Sequence, residues 1–166
     1  MKKVAVLLFL INFSISKSQN SRENRQAFTL EIAANETQQY KAEINEGPFF
    51  VHDKILQIYC GETVFIECEI TGDSISKMKV VSKNLNPNKT IEIEFTQDSK
   101  DRKKITTMLE LKNPFERELI YEASMLTPRN KQWRETSIIP IAAKLSSYEI
   151  WPHPIVSLAL TKWKLK

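Results

Sequence analysis

Apolar and polar residues alternate one for one along most of this chain. Phe28, Leu30 and Ile32 alternate with Thr29 and Glu31, and Tyr40, Ala42 and Ile44 repeat the pattern beyond a turn at Asn35-Glu36. The run Ile55 to Tyr59 follows. Val64, Ile66, Cys68 and Ile70 then share one parity, with Glu67 and Glu69 on the other. Lys77, Lys79 and Val81 alternate with Met78 and Val80, Ile91, Ile93 and Phe95 with Glu92 and Glu94, and Ile105, Leu109 and Leu111 share a parity. Successive side chains of a strand point to opposite faces, so period two predicts strands with one buried and one wet face.

The punctuation agrees with an all-β chain. All three glycines, Gly47, Gly61 and Gly72, fall between these runs, as do Pro48, Pro87, Pro114 and Pro128. Turn signals at 71–74, 86–88 and 97–101 recur at about the spacing of a sandwich or barrel. Pro140 falls inside the run 136–145 and removes one ladder donor, which predicts an edge or bulged strand there. The segment 113–126 is ambiguous. Asn113, Pro114 and Glu116 resemble a helix N-terminus, with Leu119, Ile120, Ala123 and Leu126 on one helical face. As a strand it would turn Leu119, Tyr121, Ala123 and Met125 inward. The strand is preferred, because a lone helix among so many strands would need a sheet face to cover.

The first residues change how composition is read. Lys2 and Lys3, the apolar run from Val4 to Phe13 and Ser16-Lys17-Ser18 follow the order of a cleavable secretory signal peptide. The expected organisation is a signal peptide at 1–18, a flexible mature N-terminus at 19–27 and a β-sandwich domain at 28–166. The expected location is secreted or periplasmic. The net charge of +4 includes three leader lysines, so the mature chain carries only about +1. That balance argues against nucleic acid, which demands a concentrated basic surface. The locally basic stretch Lys100 to Lys104 reads as a solvated hairpin tip. The mature chain shows no further apolar run of transmembrane length, so no transmembrane segment is expected there.

Gly61, Glu62, Val64, Ile66 and Cys68 form a motif that resembles the second strand of immunoglobulin-like β-sandwich domains. In that family a strand-F cysteine follows a tyrosine by two positions, whereas here Tyr121 is followed by Ala123. No tryptophan lies between Cys68 and Tyr121. The resemblance implies an antiparallel sandwich. If 60–63 form a hairpin turn, Cys68 faces Ile55, and Cys60 lies about five strand residues away, on the order of 17 Å. A disulfide spans at most about 7 Å between α-carbons, so Cys60 and Cys68 are both expected to be unpaired, Cys68 in the core and Cys60 in a turn.

Candidate chemistry is sparse. His52, beside Asp53, and His153 show no ligand spacing, and no metal or cofactor is implied. No nucleophile elbow or phosphate-cradling glycine loop occurs. The strand glutamates read as a solvated face. Arg129, Lys131, Trp133 and Arg134 cluster in one expected hairpin, and Tyr148 and Trp151 flank a proline-stiffened connection. Trp, Tyr and Arg are enriched at binding hot spots, and loops on a rigid scaffold often carry recognition. The expected function is a non-enzymatic binding or accessory module with a protein or carbohydrate partner outside the cytoplasm. A small extracellular hydrolase, or a subunit assembling through an open strand edge, are the alternatives.

Overall fold

The computed structural model describes residues 22–166; the side chain of Lys131 and the expected signal peptide lie outside the described residues. The strands are β1 (Asn24–Arg25), β2 (Phe28–Ala33), β3 (Gln39–Ile44), β4 (Gly47–Pro48) and β5 (Phe50–His52). Next come β6 (Ile55–Tyr59), β7 (Thr63–Thr71), β8 (Ser74–Val81), β9 (Thr90–Asp98) and β10 (Thr106–Lys112). The last four are β11 (Leu119–Thr127), β12 (Asn130–Thr136), β13 (Ser146–Trp151) and β14 (Ser157–Leu165).

Ten of them form two antiparallel sheets, ordered β13-β10-β9-β7-β8 and β12-β11-β14-β6-β5. Two smaller pairs, β2-β3 and β1-β4, complete the fold. Val64, Ile66 and Cys68 of the first sheet and Leu56, Ile58, Leu119 and Tyr121 of the second belong to one buried cluster. The sheets therefore pack face to face as a β-sandwich, which is why one parity of each strand had to be apolar. Helix no. The segment 119–127 is a strand with Leu119, Tyr121 and Ala123 buried.

The helix-like signature at Asn113 has a different use. Its buried side chain accepts a hydrogen bond from Phe115 N at 2.9 Å and donates to the carbonyls of Arg117 and Ile141 at 2.7 and 3.0 Å. An asparagine that binds backbone two residues ahead makes a turn as readily as a helix start. Here it staples the corner entering β11 to residue 141.

Two expectations are corrected. The run 136–145 is not a strand: β12 stops at Thr136, and Ile141 alone bridges to Leu119. Pro140 lacks the amide that a continuing ladder requires. The stretch 60–63 is not a hairpin turn, because β6 and β7 lie in different sheets. The chain crosses there, with Cys60 N donating to Val156 O at 3.0 Å and Phe95 N to Glu62 O at 3.1 Å. Gly61 takes φ of +95°, open to glycine at little cost. Cys60 and Cys68 are nonetheless both free and buried.

Near the start of the described residues, Arg25 is held by the fold. Arg25 is 4% exposed, donates to Glu62 Oε1 at 3.0 Å and to Pro48 O at 3.1 Å, and lies over the rings of Phe49 and Tyr59 at 4.6 and 5.0 Å. A buried guanidinium is tolerable only when paired and hydrogen-bonded in this way.

A bulge in β14 completes the core. Between the pairs Ile120–Lys164 and Glu122–Thr161 the strand holds one extra residue, and Lys162 adopts φ of +53°. The extra residue switches parity, so that Leu160 and Trp163 both turn inward. Trp163 then stacks on Tyr121 with ring centroids 5.2 Å apart.

Candidate binding cleft

Four connections converge at one end of the sandwich, and polar side chains hold three of them in place. Thr107, fully buried on β10, donates from Oγ1 to His153 O at 2.9 Å and accepts from Ile155 N at 3.2 Å. That fixes the 152–155 connection. Gln97 on β9 clasps the end of β2: its Oε1 accepts from Ala33 N at 2.8 Å and its Nε2 donates to Ala33 O at 3.0 Å. At the tip of the β2-β3 hairpin, Asn35 Oδ1 accepts from the amides of Thr37 and Gln38 at 2.9 and 2.8 Å. Arg102 Nη2 donates to Gln38 O at 2.7 Å, joining this tip to the β9-β10 connection. Within that connection, Asp101 Oδ1 accepts from Lys103 N at 3.0 Å.

Between these segments lies a cleft of about 590 Å³, lined by residues 34–36, 102–106, 127–129 and 152–154. Its volume is in the range of small-molecule sites. Arg102, Lys103, Lys104 and Arg129 bring four positive charges to it, against the single carboxylate of Glu36. Among the described residues, no ion pair involves any of those four cations. Ala34, Ile105, Pro128, Pro152 and Pro154 supply an apolar wall. The arrangement can hold an anion against a greasy surface.

Among the described residues, Arg129 is the one expected contact residue that lines this cleft. Trp133 and Arg134 are exposed on β12, an edge strand of the second sheet. Tyr148 is exposed on β13, an edge of the first sheet, where its hydroxyl donates to Glu110 Oε1 at 2.9 Å. That bond to a carboxylate raises the Tyr148 pKa. Trp151 is corrected: it is 8% exposed, and its Nε1 donates to Thr136 Oγ1 at 2.9 Å. Its indole closes the core end rather than offering a contact surface. Lys131 contributes its backbone to β12.

The sequence reading missed Arg102, Lys103, Lys104 and His153 as site residues. The basic run and the proline-flanked histidine were both visible, but nothing local shows that they meet. His52 is exposed at the end of β5, away from the lining of the cleft. Among the described residues, no group of three or more His, Cys, Asp or Glu could hold a metal ion.

The strand glutamates lie on an outer sheet face. Glu94 and Glu110 are direct cross-strand partners, and the neighbouring Glu92 pairs with Lys112 at 3.5 Å. Burial pushes the thiols of Cys60 and Cys68 up to about 12, so they are poor nucleophiles at neutral pH. Among the described residues, no helix is long and apolar enough to cross a membrane. No protein-family model, curated protein or solved structure matches this chain.

Proposed function

We propose that this protein is an exported binding or accessory module that receives its ligand in the cleft at the end of the sandwich. The observation that carries the reading is the cleft itself: four connections, three of them held by Thr107, Gln97, Asn35 and Arg102, surround a cation-rich cavity of about 590 Å³. Preorganised walls lower the entropy lost on binding. Connections on a rigid sandwich are where such folds commonly place recognition. An immunoglobulin-like arrangement is supported by β7 and β11 lying in opposite sheets, as the cysteine-bearing strands of that family do. The β7-β8 hairpin within one sheet departs from it.

Export is tested by fractionating the source cells. A chain recovered outside the cytoplasm and beginning near Gln19 is expected; an intact chain in the cytoplasm contradicts it. Binding is tested with immobilised mature chain and the exported fraction. Wild type and a Lys89→Glu control should retain the same material, and Arg129→Glu combined with Lys103→Glu should lose it. Equal retention by all three overturns the cleft as the contact surface.

A further inference from the structure

We infer that the cleft selects a small amphiphilic anion: one carboxylate, sulfate or phosphate group joined to a compact apolar body. This rests on the reading of the cleft as the binding site and adds the chemistry of what enters it. Charge, volume and wall composition each constrain the ligand.

Charge sets the head group. Arg102, Lys103, Lys104 and Arg129 outnumber Glu36, and none is neutralised by a carboxylate among the described residues. Lys103, Lys104 and Arg129 are exposed, so their charges remain available, while Arg102 spends one donor on Gln38 O. Arginine and lysine together suit an oxyanion, with charge-assisted hydrogen bonds stronger than neutral ones.

Volume leaves room for more than a bare ion. A cavity of about 590 Å³ is far larger than a lone phosphate or sulfate needs, and falls in the range of drug-sized organic ligands. The wall says what the remainder is made of. Ala34, Ile105, Pro128, Pro152 and Pro154 offer hydrocarbon and little hydrogen-bonding capacity. An apolar body gains there by leaving water, whereas hydroxyls packed against those five residues would find few partners.

The test uses three probes below micelle-forming concentration: inorganic phosphate, octyl phosphate and octyl glucoside. Amide chemical shifts of Ile105, Thr106 and His153 report binding to the full mature chain. Octyl phosphate should move these amides and bind at least about tenfold more tightly than either other probe, a gap of ~1.4 kcal/mol. Combined Lys103→Glu, Lys104→Glu and Arg129→Glu should weaken it by at least about tenfold, with Lys89→Glu without effect.

Equal binding of octyl glucoside overturns the anionic head, and equal binding of inorganic phosphate overturns the apolar body. No movement of these amides with octyl phosphate overturns the inference altogether. Loss of the inference leaves the capture comparison of wild type and cleft variants intact, and failure of that comparison leaves the probe preference standing. The two are read separately.

Discussion

Two groups of cations in this protein are treated in opposite ways. Arg25 is buried, with Glu62, the carbonyl of Pro48 and the faces of Phe49 and Tyr59 all directed at its guanidinium. Lys103, Lys104 and Arg129 stand at the other extreme, exposed and unpaired with any carboxylate among the described residues. The first cation is consumed by the fold, tying β1 to the crossing at 60–62. The others are carried by a frame whose own hydrogen bonds are made by Thr107, Gln97 and Asn35. A charge already satisfied internally can do little for a ligand; charges held together without partners can.

The contrast predicts different costs for removing each cation. Arg25→Ala should destabilise by about 3 kcal/mol or more, because Glu62 is left nearly buried and without its counter-ion. Urea unfolding measures it, and a loss below about 1 kcal/mol would break the contrast from the structural side. Thr107→Val removes the hydroxyl that holds the 152–155 connection. It should cost about 1–3 kcal/mol and speed hydrogen exchange at Ile155 N. Unchanged exchange there would mean that the cleft wall does not depend on Thr107.

Alkaline pH should produce a loss on the order of that of Arg25→Ala from a different source. Burial raises Cys60 and Cys68 from an ordinary 9.0 to about 12. In the window between those values the unfolded thiols ionise and the folded ones do not. The stability is thus complete below pH 9 and falls as pH rises toward 12, by about 1.4 kcal/mol per pH unit for each thiol. Urea midpoints at pH 8 and pH 10.5 measure this, and equal midpoints would show that the thiols are not desolvated. The smallest effect belongs to the cleft cations: Lys103→Glu with Lys104→Glu should change stability by only about 0.5 kcal/mol. A loss as large as that of Arg25→Ala would make them structural and remove the contrast.

Much of the fold was legible in residues such as Val64, Ile66 and Cys68, whose alternation with polar neighbours reports a half-buried strand directly. Local chemistry was legible as chemistry but not as context. Asn113 does organise its own backbone, yet it caps a corner, because the carbonyls that complete its hydrogen bonds come from 141 and 142. Trp151 looked like a loop aromatic, and whether an indole points outward depends on where Thr136 and the core lie. The run 136–145 contained a strand-like pattern that Pro140 overruled.

The cleft was the least legible feature. Its parts come from hairpin tips and connections far apart in sequence, brought together by sheet order, and its pins, Gln97 and Thr107, are ordinary strand residues in sequence. Arg129 was found because it neighbours Trp133, although the two serve different surfaces. The expected open edge at Pro140 is replaced by a segment running past β13, where Ile139 N donates to Glu149 Oε1 at 2.9 Å.

The central claim is that ligand contact occurs at the pinned, cation-rich end of the sandwich. The most direct measurement is amide hydrogen exchange of the mature chain with and without material from the exported fraction. The account predicts protection concentrated at 34–36, 102–106, 127–129 and 152–154, abolished in the Lys103→Glu, Lys104→Glu and Arg129→Glu variant. Protection confined to β12 and the outer face of β13, around Trp133 and Tyr148, and unchanged in that variant, would contradict it.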